Sequence, residues 1–144
     1  MWGGSSEGNL RRILIIQKKA LRAIGGLSQM ESCRRRFQEW NILTVVDIYL
    51  MECIYLAASS LCQRNNEIHD YNTRHSHNFN LPTHRLKLYQ MKPSYAGAKL
   101  FNALPKELKS FQPHKFKKIL KSWFLQRPFY SVQEFLNWKA FGMK

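Results

Sequence analysis

Acidic side chains are scarce in this sequence. Nine Asp and Glu stand against 23 Lys and Arg, a formal net charge of +14 over 144 residues. Such an imbalance makes a polyanion the natural partner, nucleic acid first and an anionic membrane surface second. The alternative is a basic protein whose charge serves only solubility. Cysteine is almost as scarce, with Cys33, Cys53 and Cys62. Cys53 and Cys62 stand about 13 Å apart on one helix axis, too far for a bridge, so free thiols in a reducing compartment are expected. There is no CxxC, and Cys62 with the nearby histidines matches no zinc-ligand spacing, so no metal site is assigned. The start, MWGGSSEGN, lacks the charged and apolar regions of a signal peptide, and a cytoplasmic or nuclear location is expected. No internal repeat, linker or low-complexity tract is visible.

A long uninterrupted apolar run is also missing. The nearest is TVVDIYLMECIYLAASSLCQ, Thr44–Gln63, which carries Asp47 and Glu52. Carboxylates at that depth are expensive in hydrocarbon, so Val45–Cys62 is expected as a buried core helix rather than a membrane span. Thr44 with Asp47 three residues on is its start signal.

Around it the sequence supplies amphipathic cover. NLRRILIIQKKALRAIGG, from Asn9, predicts a helix with Leu10, Ile13, Leu14, Gln17, Leu21 and Ile24 on one stripe and a stop at Gly25-Gly26. Ser28-Gln29-Met30-Glu31 reads as a capping box opening a second helix through about Trp40. Residues 64–85 are polar and rich in Asn and His, and predict a loop or extended segment. Alternation in Phe79–Leu81 and Arg85–Tyr89 leaves room for one short β-hairpin at about 78–91. Further helices are expected from Pro93 to Leu104, from Pro105 for one turn, from Pro113 to Arg127, and after Ser131. The third of these places Phe116, Ile119, Leu120, Trp123 and Phe124 on one face, with Lys115, Lys118 and Ser122 away from it. The fold expected is mainly α, a small helical bundle around the central helix at about 45–62.

The charge is uneven. Residues 1–40 carry +5, residues 41–70 carry −3 and residues 71–144 carry +12. Two basic surfaces follow. One combines Arg11, Arg12, Lys18, Lys19 and Arg22 with Arg34, Arg35 and Arg36; the other is Lys115, Lys117, Lys118 and Lys121. Lys and Arg contacts to phosphate position a nucleic acid without reading its sequence. For the lysine helix, an anionic membrane surface is the lesser alternative, beside plain solvation. In the loop, His69, Tyr71, Asn72, Thr73, Arg74, His75, His77 and His84 suit base stacking and phosphate contact, or the simpler role of hydrogen-bonding a long loop in place. Glu107-Leu108-Lys109 has the acid-x-Lys spacing of a nuclease, but lacks the further acid such a site needs.

The order of these pieces resembles a known protein region. Trp2-Gly3, IQKKALRAI, ILTVVDIYLMECIYL, HDYNTRHSHNFNLP, YAGAKLFNALPKELK and SFQPHKFKKILKSWF look like the C-terminal region of reverse transcriptases of Jockey-type non-LTR retrotransposons. The resemblance runs over about residues 2–125 and is most specific at residues 69–75 and 99–109; nothing beyond Pro128 takes part. It implies a thumb or post-thumb segment of an RNA-directed DNA polymerase, with residues 1–63 thumb-like and residues 64–144 packing on them. RNA or DNA and the parent's own upstream palm would be the partners; no membrane and no small-molecule substrate is expected. The parent would use Mg held by paired aspartates. This chain has only Asp47 and Asp70, with no adjacent acidic pair, so no catalytic residue, metal ligand or cofactor is assigned to it and a fragment or truncated copy is expected.

Overall fold

The computed structural model describes residues 7–59, 78, 93–109 and 113–140. Among the described residues there are seven helices and no strand, so the chain is mainly α. They are α1 (Glu7–Gly25), α2 (Arg34–Glu39), α3 (Val45–Ser59), α4 (Pro93–Asn102), α5 (Lys106–Lys109), α6 (Pro113–Leu125) and α7 (Val132–Leu136). The hairpin expected at 78–91 lies outside the described residues except for Asn78, a bend. Two compact units are formed, one from the described residues up to Tyr49 and from Lys121 onward, the other from those within Leu50–Leu120.

In the first unit α1 begins at Glu7, two residues before the expected start, with an acid in its first turn where the helix dipole favours one. Its end is as expected. Gly26 takes φ +61, and the Leu27 N–H bonds back to the Arg22 carbonyl at 3.0 Å, the long bond of a Schellman motif. Leu10, Leu14 and Leu21 are buried, but Ile24, placed on the same stripe by periodicity, is 77 % exposed. It sits in the last turn, where packing stops before the periodicity does. Gln17, the polar member of the stripe, bridges to the next helix. Its side chain donates to the Leu43 carbonyl at 2.8 Å and accepts the Val45 N–H at 2.9 Å. It thereby satisfies a backbone donor that the first turn of α3 leaves open.

The box at Ser28–Glu31 forms only its reciprocal half. Glu31 accepts the Ser28 N–H at 3.0 Å within a turn, and no helix follows directly. α2 starts six residues later, behind Cys33, which makes no side-chain cap bond. It ends on Asn41, at φ 52, with the Asn41 and Ile42 N–H groups returning to Gln38 and Phe37. That is a second Schellman ending, with asparagine tolerating the left-handed position.

α3 starts as its sequence predicts, the Asp47 N–H donating to Thr44 Oγ1 at 3.0 Å. It is not buried all round. Val46, Leu50, Cys53, Ile54 and Ala57 are buried, whereas Ile48 and Leu56 are 44 % and 58 % exposed and Glu52 faces solvent. Uniform apolarity marks no face as outward, so which side stays open is not written in α3 itself. Residues 60–62 lie outside the described residues. No helix among the described residues is long and apolar enough to cross a membrane.

Residues 128–140, outside the resemblance, complete the core of the first unit. Phe124, Phe129 and Phe135 are fully buried, with ring centroids 5.6 to 6.0 Å apart. Ser131 caps α7 as predicted, accepting the Glu134 N–H at 3.1 Å. Burying three phenyl rings contributes several kcal/mol in total, at about 1.5–3 kcal/mol each.

The second unit holds the rest of α3, α4, α5 and the first turns of α6. Gly97, inside α4, lets that helix lie directly on α3. A Cβ there would stand 2.5 Å from the Cys53 carbonyl oxygen and 2.9 Å from Ala57 Cβ. Phe101 and Phe116 meet at 5.8 Å beside this crossing. The face predicted for α6 is the buried one: Phe116, Leu120 and Phe124 are enclosed, Ile119 and Trp123 are half-buried, and Lys115, Lys118 and Ser122 are exposed.

Candidate nucleic-acid interface

The basic residues singled out by sequence divide into those that hold the fold together and those that face solvent. Arg34 belongs to the first kind. Its guanidinium makes a two-pronged pair with Glu134, at 2.7 and 3.0 Å, and donates to the Pro128 carbonyl at 2.8 Å. It also stacks over the Tyr130 ring at 4.0 Å. Glu134 in turn accepts the Tyr130 N–H at 3.3 Å. The planar fork suits this bidentate, stacked position better than lysine would. Arg34 therefore ties α2 to the segment before α7.

Its neighbours do something else. Arg35, whose side chain is 85 % exposed, and Arg36 share one acid, Glu39, at 2.7 and 3.0 Å. Two guanidiniums on one carboxylate leave a net positive charge at the surface, and exposed pairs of this kind are worth little. The sequence set the three arginines side by side as equals; the structure separates the first from the other two.

On α1 the division repeats. Lys18 rests its ammonium 4.3 Å from the Tyr130 ring, and Arg22 donates to the Glu31 carbonyl at 3.2 Å, with its Nε buried and unpaired. Arg11, Arg12 and Lys19 are exposed and form no ion pair among the described residues. They share the outer face with Ile15 and Ile16, exposed by 45 and 66 %, while Ile24, 77 % exposed, lies in the last turn on the other stripe. Beside this helix, a cleft of about 310 Å³ runs between α1 and the Tyr130–Val132 turn, with Arg11 and Lys18 among its lining residues. Burial pushes the Tyr130 phenol up to about 12, against the opposing pull of Arg34.

On α6, Lys117 lies 3.4 Å from Glu52 and 4.7 Å from the Tyr55 ring. Lys115 and Lys118 are exposed without an ion pair among the described residues, as is Lys121 in the first unit. Lys99 and Lys106, which periodicity gave no reason to single out, are exposed in the second unit as well. Tyr71, Arg74 and His75, with His69, Asn72, Thr73, His77 and His84, lie outside the described residues.

The acids do not assemble a metal centre. No group of three His, Cys, Asp or Glu gathers among the described residues. Asp47, the one described aspartate, is fully buried at the start of α3, where Oδ1 accepts the Phe129 N–H at 3.2 Å and Oδ2 has no partner. Burial raises its pKa to about 8, against lowering by the Phe129 N–H, by Thr44 and by Arg34. It is thus mostly protonated at neutral pH and a poor cation ligand. Lys109 is equally committed. It is 6 % exposed, and its ammonium donates to the Asn102 carbonyl at 2.7 Å and to Asn78 Oδ1 at 2.5 Å. It closes the end of α4, the position the helix dipole assigns to a cation.

No protein-family model, no curated protein and no solved structure matches this chain.

Proposed function

We propose that this chain is the C-terminal nucleic-acid-binding segment of a retrotransposon-encoded RNA-directed DNA polymerase, holding template–primer or target nucleic acid by its phosphates. The resemblance at residues 69–75 and 99–109 supports the family, and the surface supports the role. The observation that carries it is the set Arg11, Arg12 and Lys19, three exposed cations on one helix with no carboxylate paired to them among the described residues. Phosphates compete well for such groups because no intramolecular partner has to be displaced. The segment performs no chemistry of its own in this reading. Magnesium would belong to the parent's palm, since a buried, protonated Asp47 is a poor metal ligand and Lys109 is committed to the end of α4.

A second reading is a protein-docking segment of the same parent, and one observation favours it. Ile15, Ile16 and Ile24 stand exposed on α1, which a surface that meets only phosphate does not require. The two readings separate on one variant. Replacing Arg11, Arg12 and Lys19 together by alanine is expected to weaken binding of the chain to an RNA–DNA hybrid about tenfold or more at roughly 0.1 M salt, equally for unrelated sequences. Filter binding checks this. Unchanged affinity in the variant, with the wild-type chain bound, would remove α1 from the interface and leave it for docking.

A further inference from the structure

The exposed residues of α6 are all polar; those of α1 are not. At about 100° per residue, Arg11, Ile15, Lys19, Arg12 and Ile16 follow one another within about 140° of arc, opposite the buried Leu10, Leu14 and Leu21. Lys19 and Arg12 run along the middle of this face, with Ile15 on one side of them and Ile16 on the other. The isoleucines are 45 and 66 % exposed, and the three cations form no ion pair among the described residues.

The cleft beside α1 opens on the Ile15 edge of the same face. Its 310 Å³ are lined by the buried Leu10, Leu14 and Val46 and by the more open Ile15 and Val132, with Arg11 at the rim. A cavity of about 150 Å³ already takes a benzene-sized group. The cleft therefore has room for one large apolar side chain. Its one acid, Glu7, stands in the first turn of α1, and Lys18 is engaged with the Tyr130 ring. Phosphate contact needs neither the isoleucines nor an apolar cleft, and a flat lipid surface needs no cleft.

We propose that this face of α1 docks a helix of a partner protein that carries acidic and large apolar side chains together. Its carboxylates would meet Arg11, Arg12 and Lys19, and one of its apolar side chains would enter the cleft. The proposal rests on the docking reading above and names the partner's chemistry. A neutral partner would cover three cations without pairing them, which is costly, and a second copy of this face would set cation against cation. Because phosphate uses the same three cations, the acidic helix and nucleic acid exclude each other on α1.

The test uses the full chain and labelled helical peptides of about five turns, read by fluorescence anisotropy at about 0.1 M salt. One peptide carries Glu and Leu on a shared face, a second has the same composition scrambled, and a third has Gln for Glu. The patterned acidic peptide is expected to bind about tenfold more tightly than either control and to displace an RNA–DNA hybrid. Ile15→Ser with Ile16→Ser, both on the surface, is expected to lower its affinity to that of the scrambled peptide and to leave the hybrid bound as before. Equal binding of the patterned and scrambled peptides, which needs no substituted chain, overturns the proposal, since charge alone would then explain it. An isoleucine variant that binds the patterned peptide like wild type overturns it as well. So does a variant that loses only phosphatidylserine vesicles, which would make the face a membrane contact. Tighter binding of the Gln peptide defeats the acidic partner and leaves the docking reading standing; a chain that binds no peptide defeats both.

Discussion

Asp47→Asn should make the protein more stable at pH 8 while changing little at pH 4. The carboxyl is fully buried, and its Oδ2 meets no partner. Its pKa lies near 8 in the folded chain against an ordinary 3.8, so the folded state keeps a proton that the unfolded state gives up. For an acid with a raised pKa, the sign is fixed. Stability is fully present below about pH 4 and is lost as the pH climbs through about 8, at about 1.4 kcal/mol per pH unit within that window. The loss at pH 8 reaches up to about 5 kcal/mol as an upper bound. Asparagine keeps the acceptor for the Phe129 N–H, carries no charge at any pH and so escapes the loss. Urea unfolding midpoints of both proteins at pH 5 and pH 8 check this. The gap between them should open with rising pH; a constant gap, or a less stable asparagine variant at pH 8, would contradict the protonated reading of this site.

The second large effect separates two adjacent arginines. Arg34→Ala is expected to cost about 2–3 kcal/mol and Arg35→Ala less than about 0.5 kcal/mol. Removing Arg34 leaves the Pro128 carbonyl without its side-chain donor and Glu134 with the Tyr130 N–H alone. The penalty is moderated because the two side chains remain 33 % and 24 % exposed. Removing Arg35 costs one arm of a surface pair whose acid still has Arg36. Arg34→Lys should recover less than half of the loss, since an ammonium neither spans both Glu134 oxygens nor stacks on Tyr130 in the same plane. Equal losses for Arg34→Ala and Arg35→Ala would show that the Glu134 pair is not part of the fold in solution. One consequence is practical: a combined replacement of Arg34, Arg35 and Arg36 would mix an unfolding effect with any effect on nucleic acid. Arg11, Arg12 and Lys19 are the cleaner set.

What could be read from the sequence was local. Gly25-Gly26, Thr44 with Asp47, Ser131 with Glu134, and the Phe116–Phe124 stripe each act within one or two helical turns, and each forms as its spacing predicts. Ser28–Glu31 shows the limit of such signals. The side-chain bond it encodes is made, yet a turn follows instead of a helix, because one cap bond does not offset the cost of starting a helix that has little to bury. What stayed hidden was non-local. Arg34 finds Glu134 across 100 positions and Asp47 finds Phe129 across 82. Neither partner carries a mark that distinguishes it from other acids or phenylalanines in the chain. The same holds for Gly97, which reads as a weak point in a helix until Cys53 and Ala57 are seen against it. The basic surface was legible as charge but not as geometry. Composition shows an excess of cations, and only packing shows which are already engaged.

The most direct test of phosphate binding is the salt dependence of affinity for duplex nucleic acid. With Arg11, Arg12 and Lys19 each neutralising one phosphate, log K against log salt should fall with a slope of about −2.7 or steeper, at about 0.9 per contact. A slope near zero, or no binding at about 50 mM salt, where such contacts are strongest, would contradict the assignment of this surface to nucleic acid.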